Sequence, residues 1–254
     1  MIIMASVSRL LAHVLPPLPR WRAQVLVFTI RSLVERAAPV ERNCNICGRD
    51  DLFRPFGWPM RPEAMCPHCR SLERHRLLKL WLDQNKGDVV GKRILHFAPE
   101  TTVTNLVRPL AGKYVTTDIC PGYDLQLNIE KIDLPDSCYD LILCSHVLEH
   151  VDDRAALGEM RRILTDNGVA LLMTPVIEGW SETYENPSVV APDDREIHFG
   201  QKDHVRYYGS NIRDRVRQAG FEIDEFTAEG SPVVMHGLMR GEKLFVARRR
   251  AAAQ

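Results

Sequence analysis

Four cysteines carry the strongest chemical signal in the chain. Cys44 and Cys47 form one Cys-x-x-Cys pair, and Cys66 and Cys69 form a second after 18 intervening residues. Each such turn directs two sulfurs at one metal, and two turns complete a tetrahedron with Zn–S bonds of about 2.3 Å. Four protein ligands leave no open position, so the pattern predicts a structural zinc site. His68, inside the second pair, is a bystander. Cys120, Cys138 and Cys144 have no partner spacing and read as small core residues. The second set of chemistry-bearing residues is histidine. Four of the nine, His146, His150, His198 and His204, fall in two short segments, and histidine is the side chain suited to proton removal near neutral pH. In the run Asp203-His204-Val205-Arg206, His204 reads as a base, Asp203 as its orienting partner and Arg206 as an anion clamp. The competing reading is a loop tied down by its own polar residues. His146 is the second candidate base, weighed against a role in packing or strand termination, and His150 reads as structural.

These residues need a scaffold, and the hydrophobic pattern supplies one. After the second cysteine pair, Leu72, Leu77, Leu78, Leu80 and Trp81 form an apolar helix face, with Ser71 as its cap. From about residue 92, strand and helix patterns alternate. Strands are expected at 93–97, 114–117, 125–129, 140–144 and 169–173, then at 221–226 and 243–248. Helices are expected at 102–111, from Asp152 or Asp153 to the stop at Asn167-Gly168, and at 210–219. This succession predicts an α/β domain with a mostly parallel sheet covered on both faces. Ligands of such sheets bind beyond the carboxyl ends of the strands. Asp118 falls at one such end, where an acid accepts hydrogen bonds from the ribose hydroxyls of a nucleoside cofactor. The polar stretch from Tyr184 to Tyr208 follows the fifth strand and reads as a lid or acceptor pocket.

The runs YVTTDI at 114–119, DLPDSCYDLILCSHVLEHVDD at 133–153 and RRILTDNGVALLMTPV at 161–176 resemble the type-11 family of class I S-adenosylmethionine-dependent methyltransferases. DHVRYYG at 203–209, followed by RQAGFEI at 217–223, is similar to the family's segment before its sixth strand. Together with the cysteine pairs, CRSLERHR at 69–76 and HFAPE at 96–100, the pattern looks like a bacterial subfamily with an N-terminal four-cysteine module. The resemblance covers roughly 90–248. It implies a Rossmann-like, mostly parallel seven-stranded sheet in a domain at 91–250, preceded by a helical segment at 1–40 and a zinc-binding module with a linking helix at 41–90. It implies S-adenosylmethionine as cofactor, held by His96, Ala98, Glu100, Asp118, Asn128 and Ser145, and an acceptor met by Tyr184, Arg206 and Tyr207. The first loop departs from the family: His96-Phe97-Ala98-Pro99-Glu100 stands where glycines let the backbone approach the cofactor.

Charge and hydrophobicity narrow the partners. The 254 residues carry 33 basic and 33 acidic side chains. Residues 1–95 hold 16 basic against 8 acidic, and the remainder holds 17 against 25. The basic third reads either as a solvated face or as a surface for an anionic partner. Residues 1–36 combine apolar runs with arginines and almost no acid, which suits packing on the protein's own core or a peripheral membrane contact. Neither run approaches the roughly 18–20 residues of a membrane span. No signal peptide is evident, and seven cysteines point to a reducing, cytoplasmic compartment. Three functions follow from the resemblance. The first is O-methylation of a small molecule or glycan. The second is RNA methylation with the zinc module contacting RNA. The third is a noncatalytic scaffold of the same fold, suggested by the missing glycines.

Overall fold

The computed structural model describes residues 40–57 and 60–249. The helical segment expected at 1–40 and the membrane contact expected at 1–36 lie outside the described residues, Val40 apart. From Arg42 onward the chain forms one compact unit.

That unit opens with two small antiparallel hairpins. The first joins β1 (Arg42–Asn43) to β2 (Asp50–Asp51), and the second joins β3 (Arg54–Phe56) to β4 (Arg61–Met65). Helix α1 (Glu73–Gln84) follows. Then come β5 (Arg93–Phe97), α2 (Thr101–Val107), β6 (Lys113–Asp118), β7 (Leu125–Gln126) and β8 (Tyr139–Ser145). Helix α3 (Asp153–Ile163) leads into β9 (Leu164–Met173). An excursion carries β10 (Tyr184–Glu185), α4 (Pro192–Phe199) and β11 (Arg206–Tyr207). The chain closes with α5 (Ile212–Gln218), β12 (Phe221–Thr227), α6 (Ser231–His236) and β13 (Lys243–Arg249).

Seven strands form the central sheet in the order β12-β13-β9-β8-β5-β6-β7. The pairs from β9 through β7 are parallel, and β13 runs antiparallel to both of its neighbours. Successive side chains of a strand point to opposite faces, and the two cores follow that alternation. Leu95, Phe97, Ile142, Cys144, Ala170 and Leu172 meet Leu157, Met160 and Ile163 of α3 and Ile212 and Val216 of α5. Ile94, Leu141, Leu143 and Leu171 meet Leu77, Leu78 and Trp81 of α1 and Val103 and Val107 of α2. Burial on both faces is why these strands read as nearly continuous apolar runs. Helix α1 is thus one of the helices covering the sheet, although it begins four residues after the last cysteine of the second pair.

Several boundaries differ from expectation for identifiable reasons. Helix α2 ends at Val107, two residues before Pro109, whose ring cannot continue it. Asp152 caps α3 by accepting from the amides of Arg154 and Ala155, but the helix ends at Ile163 and not at Asn167-Gly168. Those two residues lie in a bulge of β9, where the register with β8 jumps from Tyr139↔Leu164 to Leu141↔Val169. Strand β7 has only two residues, and Asn128 forms an isolated bridge with Lys131. Ser71 does not cap α1: the N-cap is Leu72, and the Ser71 hydroxyl turns to the sulfurs of Cys44 and Cys69. No helix among the described residues is long and apolar enough to cross a membrane.

Candidate active site and metal centre

The four cysteines converge. Their sulfurs all lie within 4.8 Å of one another, with Cys44 and Cys69 3.5 Å apart and Cys47 and Cys66 3.8 Å apart. Four ligands at about 2.3 Å from one zinc are separated by roughly 3.8 Å, so the donor set and its spacing fit a tetrahedral thiolate site. The local backbone explains the convergence. Gly48 (φ +72°) and Arg70 (φ +60°) each follow a pair in left-handed conformation, and their amides return to the carbonyls of Cys44 and Cys66.

Arg76 anchors this module to the sheet. Its guanidinium is fully buried, lies 4.5 Å from the Phe53 ring centre, and donates to the carbonyl oxygens of Ala64, Ser71, His236 and Gly237. One side chain of α1 therefore ties β4, the end of the cysteine module and the end of α6 together. At the other end of the same turn, Arg74 and His75 reach Glu100, with His75 Nε2 3.0 Å from the carboxylate. Burial would raise the pKa of Glu100, but the bonds from His75 and Arg74 outweigh it and hold the carboxyl well below its usual range.

The carboxyl ends of the parallel strands carry the candidate cofactor residues. Ala98 follows β5 in left-handed conformation (φ +47°), and its amide donates to the Thr117 carbonyl at 2.9 Å. The tight turn that glycine usually makes is thus made here by a residue that bears a methyl group. Asp118 ends β6. One carboxylate oxygen accepts the Cys120 amide at 2.8 Å, and no side chain among the described residues pairs with the carboxylate. Ser145 ends β8, paired in register with Met173. Asn128 accepts the Glu130 amide at 2.9 Å in a local turn. The residues brought to the strand ends suit a nucleoside cofactor: an open carboxylate for a ribose and a small residue at the turn. Two expected members do not stand there. His96 points into the helix layer, where it is buried, bonded to the Tyr114 hydroxyl at 2.6 Å, and pushed down to about 4 by burial. Glu100 is occupied by Arg74 and His75.

His146 follows β8 with φ +54°, and its amide donates to the Met173 carbonyl at 2.7 Å. Its Nδ1 lies 3.3 Å from Glu149, a carboxylate only 2% exposed, whose second oxygen accepts from the Thr174 hydroxyl at 3.0 Å. Burial pushes Glu149 upward, yet the bond and charge of His146 hold it below its ordinary value. The result is a half-exposed imidazole oriented by a buried carboxylate at the strand end. Glu242 joins this end because β13 runs antiparallel and starts there. Its Oε2 is buried without a hydrogen-bond partner, and burial followed by the nearby charge of Glu73 pushes its carboxyl up to about 7.

The expected lid is built as a small antiparallel unit, with Tyr184 opposite Tyr207 and Glu185 opposite Arg206. Tyr184 bonds His198 Nδ1 at 2.6 Å, and Trp180 meets both Tyr184 and Tyr207 edge-on. Gly200, at φ +82°, closes α4 where any larger residue would strike the Tyr207 hydroxyl. Arg206 is not a free anion clamp. It is buried and donates to Glu185 and to the carbonyls of Leu148 and Val151, inside a network with Asp153, Tyr208 and Arg215. His204 is also buried, with Nδ1 3.1 Å from the Phe199 carbonyl, and burial lowers its proton affinity. Asp203, expected to orient His204, lies instead against His150. The residues that sequence reasoning missed are Glu149, Thr174 and Glu242. Only Glu149, set between two histidines in His146-x-x-Glu149-His150, left a signal in the sequence.

A seven-stranded sheet whose one antiparallel strand sits second from the edge, with an acid ending the second parallel strand, is the class I methyltransferase fold. Residues 100–172 match the family model for a methyltransferase domain. The chain is 28% identical over 127 residues to a ubiquinone/menaquinone biosynthesis C-methyltransferase, UbiE, of Vibrio campbellii, covering 44% of this chain and 49% of that protein. It thus spans about half the length of the curated relatives it matches. Among solved structures, the [4+2]-cyclase SpnF superposes with a TM-score of 0.52 at 14% identity over 70% of this chain and 82% of that one. A chain from the Haloferax volcanii complex of the Trm112 methyltransferase activator and a putative methyltransferase gives 0.50 at 13%, over 70% and 91%. These likenesses support the fold. The chain thus has the fold of the class I methyltransferases and a match to a methyltransferase domain over 100–172, with a four-cysteine cluster in the module before α1.

Proposed function

We propose that the protein transfers a methyl group from S-adenosylmethionine to an oxygen of a small-molecule or glycan acceptor, with a structural zinc ion in the four-cysteine cluster. The observation that carries the reading is the Thr174–Glu149–His146 chain at the ends of β8 and β9, a polarised imidazole placed where a sheet of this kind binds its ligands. The cofactor supplies an electrophilic methyl on a sulfonium, so most of the rate comes from alignment. Asp118 holds the ribose, with Ser145 and the Ala98 turn beside it. His146 takes the proton of an acceptor hydroxyl, and Glu149 stabilises the imidazolium so formed. Trp180, Tyr184 and Tyr207 give the lid an aromatic face toward an acceptor. Arg206 belongs to the lid's internal framework and not to acceptor binding.

Calorimetric titration of the zinc-loaded protein with S-adenosylmethionine tests the reading. Binding should be saturable, and Asp118→Ala should weaken it by about 1–3 kcal/mol, the cost of losing a charged hydrogen-bond partner. Transfer of labelled methyl into hydroxylated small molecules and saccharides, but not into RNA, completes the case. A folded protein that binds no cofactor is a scaffold, and labelling of RNA alone moves the acceptor to the second class.

A further inference from the structure

A second group of metal-ligating side chains lies apart from the four cysteines. Glu149 and His150 end a short 3-10 turn after β8, and His204 comes from the loop between α4 and β11. A backbone bond from the Val205 amide to the Glu149 carbonyl, 2.9 Å, clamps the two segments together. One ligand atom from each of the three residues lies within 4.8 Å of the others, and the two imidazole rings stand edge to face with centres 4.6 Å apart.

The hydrogen bonds around the three residues are those of a ligand set. His204 Nδ1 lies 3.1 Å from the Phe199 carbonyl, and His150 Nδ1 lies 3.3 Å from the Asp203 carbonyl. A carbonyl only accepts, so each Nδ1 donates its proton there, and Nε2 is the ring atom left to ligate an ion. Fixing the tautomer through a backbone carbonyl is the outer-shell arrangement of metal-bound histidines. The Glu149 oxygens are likewise held by Thr174 and His146. Had the cluster served only to satisfy a buried carboxylate, an imidazole N–H of His150 or His204 would donate to Glu149. No hydrogen bond joins either ring to it among the described residues.

We infer that Glu149, His150 and His204 bind one divalent first-row transition-metal ion. Two imidazoles and one carboxylate suit zinc, iron, cobalt or nickel over magnesium or calcium, which prefer all-oxygen sites. Ligands on one ion at about 2.1 Å are roughly 3.0–3.5 Å apart, so a set already within 4.8 Å closes by small side-chain shifts. Three protein ligands leave coordination positions open, the arrangement of catalytic rather than structural sites. Resting on the methyl-transfer reading above, an open position would take an oxygen of the acceptor, lowering its proton affinity.

Zinc itself is the probe. The full chain, with its cysteine site loaded, is dialysed against micromolar Zn2+, and bound metal is counted by elemental analysis. About two zinc ions per chain are expected, and about one in His204→Asn and in His150→Asn. Added zinc should raise the melting temperature of the unmutated protein and leave that of His150→Asn unchanged. His150 is part-exposed, so its variant decides the matter if His204→Asn fails to fold. A count of one in the unmutated protein, or two retained in folded His150→Asn, overturns the inference. Cofactor calorimetry is read separately, so failure of the methyl-transfer reading leaves this count intact.

Discussion

Glu242→Gln should stabilise the protein at alkaline pH and do little under acid conditions. In the folded chain the Glu242 carboxyl is pushed from an ordinary 4.5 to about 7, first by burial and then by the charge of Glu73, while His146, Arg74 and Arg61 pull the other way. The unfolded chain releases this proton near 4.5 and the folded chain only near 7, so between those values the folded state binds more protons and stability falls as pH rises. At about 1.36 kcal/mol per unit the full penalty has a ceiling of roughly 3 kcal/mol. Partial contact with water reduces this to about 2 kcal/mol. Glutamine keeps the shape and removes the titration. At pH 8 the variant should melt about 4–8 °C above the unmutated protein, and at pH 5 the gap should shrink to a small fraction of that. Thermal denaturation followed by circular dichroism at the two pH values measures it. A gap equal at both, or larger at pH 5, would refute the argument that Glu242 is a buried carboxyl destabilised by its charge.

Three further outcomes follow. Arg76→Ala should cost about 3 kcal/mol or more in urea denaturation, because four carbonyls, two of them buried, lose their donor and α1 loses its tie to β4 and α6. His146→Ala should slow methyl transfer about 10²–10⁴-fold with cofactor affinity unchanged by calorimetry. Ala98→Gly relieves a left-handed conformation worth about 1–2 kcal/mol but loosens the unfolded chain by about 0.4–1 kcal/mol; the net should be a slight gain in melting temperature, and a loss would show that the Ala98 methyl is needed where it stands.

Much of this molecule was legible in one dimension. The two cysteine pairs are local: each ligand pair sits within four residues, so spacing alone fixes that two sulfurs share a direction. The strands were legible because sheet burial on both faces demands continuous apolar runs, and Asp118 was legible because it ends such a run. Sequence alone placed α1 as a linking helix, whereas packing of Leu77, Leu78 and Trp81 makes it part of the sheet's cover. The roles of Arg206, His204 and Glu100 were decided only by tertiary structure. An arginine in a polar loop has the same sequence context whether its guanidinium faces a ligand or, as here, the Leu148 and Val151 carbonyls more than fifty positions earlier. The meeting of Glu149 and His150 with His204, and the placing of Glu242 within reach of the charge of His146, depend on strands and loops distant in the chain arriving at one end of the sheet. The antiparallel course of β13 brings Glu242 there, because no periodicity in a sequence records the direction in which a strand enters its sheet.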